Sequence, residues 1–582
     1  MKLFSLALDY DGTIATDDRL DPAIRDAIAM IRARGVTVLL ATGRILDDVR
    51  RVAGELHFVD GVIAENGAVL HFPVSGHTAL LAPAVPQAFV DELARRGIAC
   101  HAGQALVDAA AADAPAILDV IRKLELPLVL VFNKGRVMTL PQGISKGTGF
   151  SAALDMLRLS ARNALAIGDA ENDHELLRMA EVGAAVPWAS AALRAAADVT
   201  LSGDGSAAVA AYLRELADSG SLPAAAQGRR RLLLGYGKDG RELWLAARGR
   251  NVLITGDTKS GKSWVAGLMC EQLILHGYCL CVIDPEGDYR SLEALPGVTI
   301  LGGEDPPPSP RDLTRVLRYP DRSVVIGLSR LPQDEKVSYI RSALAALNRL
   351  RRHTGLPHRI VIDEAHYFLH GRGSEGLLDL ERNGYTVVTY CASRLPKSLL
   401  DSTDVMIVTC ESNPAEIAAL FQRCGQFAGG AREDWEVLGR LRPGHAVALP
   451  ITAESEGQLR LFTVARRLTP HVRHRQKYVD VPVSEPRAFV FTTTPMVRAR
   501  TLRQFVAELE RAASRALDQF IERGDFSRWI RDVFGDHALA AELRAIETRH
   551  AARPGPDTMP ALIDAIRARY DLREEPELLA AG

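Results

Sequence analysis

The sequence predicts an α/β protein of several domains ending in a small, mainly helical one, and three observations carry that prediction. Short apolar runs recur, each stopping at a polar residue capable of chemistry: 4–8 before Asp9, 36–40 before Ala41-Thr42-Gly43-Arg44, 164–167 before Gly168-Asp169, 252–254 before Thr255-Gly256, 279–283 before Asp284, and 359–362 before Asp363. Runs of this length read as buried strands, and open α/β sheets hold their chemistry at the C-terminal ends of such strands. Helical patterns stand between them, as in 265–275, and 582 residues at roughly 150 per domain imply three or four domains.

Composition narrows the function classes. A hydrophobic share of 47% is ordinary for globular protein, and a net charge of −2 supplies no global field toward nucleic acid or membrane, so such contacts need local patches. Seven cysteines without a C-x-x-C pair suit reduced thiols in a cytosol. The first apolar run is too short for a signal peptide and no run of eighteen apolar residues occurs, so the expectation is a soluble cytoplasmic protein with no membrane partner.

In chain order, the first run delivers Asp9-Tyr-Asp11-Gly-Thr13. Carboxylates at i and i+2 leave a strand on the same side, so one can attack while its neighbour handles a proton. Thr42 follows the second run, Lys146 stands in G-I-S-K-G, and Asp169 and Asp173 follow the third in G-D-A-E-N-D. These four motifs in this order resemble the haloacid dehalogenase superfamily, in particular its Cof-type or sugar-phosphatase branch, over residues 1–217. The resemblance implies a Rossmann-like core with a small α/β cap at about 81–140. It makes Asp9 the nucleophile, Asp11 the general acid/base, and Thr42 and Lys146 the holders of the transferring phosphoryl group. Mg²⁺ would be bound among Asp9, Asp11, Asp169 and Asp173. Elementary electrostatics agrees, since a carboxylate approaches a phosphoryl group only if a metal ion and a lysine neutralise its charge. The cap reads as helix 85–96, strand 98–101, helix 114–124 and strands 126–131 and 136–140; His101 in it reads as a solvated histidine.

Residues 218–230 are turn-prone and mark a linker, with Arg229-Arg230-Arg231 read as a solvated strand edge. The stretch 251–264, N-V-L-I-T-G-D-T-K-S-G-K-S-W, then orders strand, loop and helix. This is the setting of a phosphate-binding loop for ATP: Gly256, Ser260 and Gly261 let backbone N–H groups close around phosphates, Lys262 reaches the β/γ-phosphates, and Ser263 completes a Mg²⁺ shell. Asp363, after a later strand, would hold the same Mg²⁺ through water, and Glu364 would polarise the attacking water. With D-P-E-G-D-Y around Asp288 and R-N-G-Y-T-V-V beginning at Arg382, the set resembles the HerA/FtsK-type hexameric translocating ATPases over 231–467. That resemblance implies a RecA-like P-loop domain (231–477), a homo-oligomer of six, and Arg382 supplied to the neighbouring subunit's nucleotide. Arg394 stands where the family usually carries glutamine. Basic residues at Arg349, Arg351, Arg352, His353, His358 and Arg359, and again at 466–477, fit either a nucleic-acid channel or a charged helix end and linker.

Residues 478–582 read as a helical domain for packing or partner binding, with a strand at 488–492, a helix carrying Leu502, Phe505, Val506, Leu509, Ala513, Leu517 and Phe520 on one face, and further helices after Asp525 and over 561–570. The expected protein is a Mg²⁺-dependent phosphatase joined to a HerA-like ring ATPase. Two functions stand open: action on DNA, RNA or nucleotides, or hydrolysis of a sugar phosphate with a regulatory or assembly ATPase.

Overall fold

A computed structural model describes residues 1–223, 229–303, 305–369, 376–424, 432–449, 459–470, 479, 483, 487–491, 496–511, 514–534 and 536–570. The N-terminal domain is built on an eight-stranded sheet in the order Val199–Thr200, Val182–Ala185, Ala164–Gly168, Ser5–Asp9, Thr37–Ala41, Gly61–Ala64, Val69–Phe72, His77–Leu80. It is parallel as far as Gly61–Ala64 and antiparallel beyond. Ser5–Asp9 is central and wholly buried, which is why it is apolar on both faces. Its register with Thr37–Ala41 sets Asp9 beside Ala41, so Asp9 and Thr42 emerge at the same sheet edge. Lys146 opens the helix Lys146–Leu157, fixed by a capping box in which Ser145 accepts from the Thr148 N–H and Thr148 accepts from the Ser145 N–H. Gly67, at φ +108°, lets a loop press on that cap: a Cβ there would lie 1.9 Å from the Ser145 carbonyl oxygen.

The cap holds helices Gln87–Arg95 and Ala114–Lys123 on a four-stranded antiparallel sheet, ordered Leu128–Asn133, Arg136–Pro141, Val107–Ala110, Cys100–Ala102. Val107–Ala110 is absent from the sequence reading. Its V-D-A-A carries little strand propensity, and it is a strand because it is paired on both sides. His101 is exposed, as expected.

The second domain has an eleven-stranded sheet. Its parallel part runs Val405–Val408, Val252–Thr255, Tyr385–Val388, Arg359–Ile362, Leu280–Asp284, Ser323–Gly327, Val298–Gly302. Four antiparallel strands extend it, ending in the hairpin Arg231–Gly237 and Glu242–Ala246. The basic cluster at 349–359 is partly internal: Arg351 donates to the Asn383 carbonyl, Arg359 donates to the Ala247 and Tyr385 carbonyls and to Thr386, and His358 is buried. These three are structural rather than channel-facing. The other basic cluster lies largely outside the described residues, as do His471 and His474.

The two α/β domains meet at the N-terminal ends of their strands. Glu181, 6% exposed, accepts from Arg162 of its own domain, from Arg230 at the end of the linker and from Tyr278 of the second domain, with Arg248 also within ion-pair range. Arg229 pairs with Asp198. Arg229 and Arg230 are thus interdomain ties, not the solvated edge expected, because buried carboxylates await them. Next to this cluster the His358 Nδ1 accepts from the Cys279 N–H at 2.8 Å, and its Nε2–H donates to the Asn163 side-chain oxygen at 3.0 Å. Asn163 immediately precedes the strand Ala164–Gly168, which Asp169 follows, and His358 the strand Arg359–Ile362, which Asp363 follows. The two sets of functional carboxylates therefore point away from each other.

Burial first, then Arg162 and Arg351, push His358 down to about 3. An unfolded histidine titrates near 6.5, so below that pH the unfolded chain gains a proton that the folded chain refuses, and stability falls as pH drops. From pH 7.5 to pH 5 this one group costs about 2 kcal/mol. Urea unfolding at both pH values is expected to show that loss in the wild type and a smaller loss in His358→Gln; equal losses would contradict the assignment.

The C-terminal domain packs helices Leu502–Arg511, Ser514–Arg523, Asp525–Trp529, His537–Ala552 and Thr558–Arg569 around an aromatic core. In that core Phe489 lies 5.1 Å from Phe505 and 5.5 Å from Trp529, ring to ring. The single helix expected over 502–520 is two helices; Ala513 lies outside the described residues, as does Thr492 of the expected strand, observed as Phe489–Phe491.

Candidate functional site

At the C-terminal edge of the first sheet, Asp9 is 3% exposed and accepts from Thr13 (3.0 Å) and from the Lys146 ammonium (2.6 Å). Lys146 also donates to Asp173 at 2.7 Å. The other Asp173 oxygen accepts from the backbone N–H groups of Asp169 and Ala170. Asp9, Asp169 and Asp173 offer oxygens that all lie within 4.8 Å of one another, and all three residues are buried. Burial, followed by the nearby Asp173, holds the Asp9 carboxyl well above its ordinary range. Burial works against the Lys146 charge, but Asp173 and Asp9 outweigh it and the net shift is upward. Three crowded carboxylates face two ammonium groups, Lys146 on Asp9 and Asp173 and Lys134 on Asp169, and Asp169 Oδ1 is buried without a hydrogen-bond partner. An oxygen-only donor set with one orphaned oxygen fits a hard divalent cation such as Mg²⁺.

Thr42 is buried beside this cluster, its hydroxyl accepting from the Arg44 N–H. Asp11 is elsewhere: its carboxylate takes a two-pronged bond from Arg44 at 2.6–3.1 Å, and Arg44 also pairs with Asp18. The structure does not bring the Asp11 carboxylate into the metal cluster, because the Arg44 fork holds it at the cavity wall. A cavity of about 560 Å³ opens above the cluster, lined by Asp11, Gly12, Arg44, Lys134, Asp169 and Trp188 among others.

The second site lies at the C-terminal edge of the other sheet. Gly256 has φ +139°, and a Cβ there would fall 2.4 Å from the Cys410 carbonyl oxygen, so only glycine lets the loop turn against this strand. Gly261, at φ +105°, starts the helix Lys262–Leu275. The Lys262 ammonium folds back onto the Gly256 and Asp257 carbonyls at 2.9 and 2.8 Å, and the Ser263 hydroxyl donates to Asp288 at 2.8 Å. Ser260 donates to the Asp257 carbonyl and also bonds Thr409. Asp363 and Glu364 are both 1% exposed, and Glu364 has φ +47°, a costly conformation of the kind that clusters at functional sites. Ser263, Asp288 and Asp363 offer only oxygen, which suits Mg²⁺. Arg382 stands at the other end of the sheet, before Tyr385–Val388, 3.5 Å from Asp379. Arg394 is exposed, and its neighbour Ser393 is tied to Glu416.

The haloacid dehalogenase-like hydrolase family matches residues 6–95 and 117–213. The phosphoglycolate phosphatase of Halorubrum lacusprofundi is 32% identical over 235 residues, 36% of this chain and 96% of that protein. The chain belongs to the haloacid dehalogenase-like hydrolases. The phosphoglycolate phosphatase of Natronomonas pharaonis is 32% identical over 205 residues, 33% of this chain and 88% of its own length. A haloalkanoate-superfamily phosphatase structure from Bacteroides thetaiotaomicron is 22% identical, covering 38% of this chain and 96% of that one, with a TM-score of 0.32. The central domain of helicase HerA matches 247–354. This haloacid dehalogenase-like hydrolase therefore joins a phosphatase domain to a HerA-type P-loop domain.

Sequence reasoning missed several residues of this hydrolase's sites. Arg44 was visible in A-T-G-R but unassigned, and only the fold reveals that it clamps Asp11. Thr13, two residues after Asp11, donates to Asp9, and Lys134 arrives from the cap, where nothing in N-K-G signals a site. Lys259 of the phosphate loop donates to the Val533 carbonyl and stands 4.7 Å from the Phe534 ring centre, so the C-terminal domain leans on the nucleotide site. Among the described residues, no helix is long and apolar enough to cross a membrane.

Proposed function

We propose that the chain is a two-site phosphohydrolase. Its N-terminal site cleaves a small phosphate monoester through an aspartyl-phosphate on Asp9, and its P-loop site hydrolyses ATP in a cytoplasmic homo-oligomeric ring, a hexamer. The observation that carries the first half is Asp9, held between Thr13 and Lys146 within a cluster whose Asp169 keeps an orphaned oxygen. Asp9 attacks phosphorus in line with the ester oxygen. Lys146 and Thr42 hold the phosphoryl oxygens, and Asp11 passes a proton to the departing oxygen. Asp9, Asp169 and Asp173 would hold Mg²⁺, which supplies neutralisation of phosphoryl charge. Water then attacks the same phosphorus and frees Asp9.

At the second site Gly256, Ser260, Gly261 and Lys262 bind the phosphates, Ser263 and Asp363 would hold Mg²⁺, and Glu364 orients water. The likeness to the HerA central domain supports a ring, with DNA or RNA as the polymer to test. For the phosphatase, the names of the relatives favour a small acidic phosphate ester over a nucleic-acid end.

The test is phosphate release from 2-phosphoglycolate, sugar phosphates, nucleotides and 5′-phosphorylated oligonucleotides, with and without EDTA, alongside ATP hydrolysis with and without DNA and RNA. Expected are a preference for the small esters, loss of both activities in EDTA, and stimulation of ATP hydrolysis by a nucleic acid. Phosphate release undiminished by EDTA would contradict the metal assignment, and oligonucleotides as preferred phosphatase substrates would reverse the substrate reading.

A further inference from the structure

The cap is held on the core by two sets of polar contacts. Glu65 accepts the backbone N–H groups of Gln104 and Ala105 at 3.0 and 2.8 Å. Elsewhere in the cap, the turn between Leu128–Asn133 and Arg136–Pro141 carries Lys134, whose Nζ lies 2.9 Å from Asp169 Oδ2. This lysine is seated directly over the nucleophile loop, since a Cβ on Gly12 would fall 2.8 Å from its Nζ.

The cations of the site differ in what they still have to offer. Lys146 is 1% exposed and committed to Asp9 and Asp173. Arg44 spends its fork on Asp11 and its outer nitrogen on Asp18 as well. Lys134 lines the cavity with its side chain 58% exposed, and an ammonium has three donors. Around it the cavity wall carries the carboxylates of Asp11, Asp17, Asp18, Asp169 and Glu171. A substrate group bearing negative charge is repelled by that wall except where a cation with free donors meets it, which is at the cap turn.

We propose that Lys134 determines leaving-group specificity: its ammonium takes a carboxylate carried on a short arm from the ester oxygen, so that the preferred substrates are phosphorylated small hydroxy acids. The arm is short because Lys134 already reaches Asp169, whose oxygen is within 4.8 Å of Asp9, leaving room for one or two carbons between the ester oxygen and the carboxylate. A neutral leaving group gains nothing from this lysine. Lys134 is thus a specificity residue delivered by the cap, and closing the cap and selecting the substrate become one event. The inference rests on the phosphatase reading above.

The experiment compares 2-phosphoglycolate with ethyl phosphate, which replaces the carboxylate by a methyl group, in the full-length wild type, Lys134→Ala and Lys134→Arg. Loss of one charge-assisted contact is expected to lower kcat/KM for 2-phosphoglycolate in Lys134→Ala about 10- to 100-fold more than for ethyl phosphate, mostly through KM. Lys134→Arg is expected to restore part of that difference. Equal losses on the two esters would mean that Lys134 only tethers the cap, and would overturn the proposal. If the wild type releases phosphate from neither, the phosphatase reading fails and the inference falls with it.

Discussion

Asp9→Asn is expected to lower monoester hydrolysis by about 10⁴-fold or more while ATP hydrolysis stays within about twofold. The amide keeps the shape of the carboxylate and, with its oxygen toward Thr13, that one hydrogen bond, but it lacks the anionic oxygen that attacks phosphorus. Asp173 remains to hold Lys146, so the buried ammonium is not stranded. The separation from the second site is geometric. The two sheets meet at the N-terminal ends of their strands through His358–Asn163 and the Glu181 cluster, and each site opens at its own C-terminal edge. Lys262→Ala is the mirror case: it removes the charge that faces the β/γ-phosphates and should end ATP hydrolysis with phosphate release from monoesters intact. A folded Asp9→Asn protein without ATPase activity would show the sites to be dependent.

The second large effect is recovery from mixing two dead proteins. Arg382 precedes Tyr385–Val388, whereas Lys262, Asp363 and Glu364 follow the C-terminal ends of strands parallel to it. At about 3.3 Å per residue the strand alone separates the two ends by some 13 Å. Arg382 is therefore out of reach of its own nucleotide, and the role proposed for it is at another subunit's. Its side chain is 33% exposed, enough to be presented to a neighbour. An arginine supplied in trans raises phosphoryl-transfer rates by about 10³ to 10⁵, so Arg382→Ala alone is expected to be nearly inactive as an ATPase. Equal mixtures of Lys262→Ala and Arg382→Ala should regain activity at junctions that combine an intact loop with an intact arginine. Absence of recovery after subunit exchange has been verified by native mass measurement would rule out the trans role.

The parts legible in the sequence were those in which local pattern and chemistry coincide. Runs such as 4–8 and 279–283 are buried on both faces, so hydrophobicity alone marks them as strands and the next residue as functional. The phosphate loop is legible because its glycines answer a backbone demand that no other residue meets. What stayed hidden depends on distant segments meeting. Val107–Ala110 is a strand only through its neighbours, and Lys134 belongs to the site only because the cap folds over the core. The basic stretch 349–359 left two readings open for the converse reason: it ends the helix Gln333–Thr354, and Arg351, His358 and Arg359 are charged in sequence but buried in the fold, where carbonyls and Asn163 occupy them.

One chain performing two phosphoryl transfers by different routes is the central claim, and the covalent route can be trapped. The full-length protein is turned over with 2-phosphoglycolate and Mg²⁺, or with ATP and Mg²⁺ alone, quenched in acid, reduced with borohydride and digested for peptide mass analysis. Borohydride converts an aspartyl-phosphate to homoserine. The account predicts homoserine at the Asp9 position with the monoester and unmodified aspartate there with ATP. An unmodified Asp9 during rapid monoester turnover, or its conversion when ATP is the only phosphate donor, would contradict it.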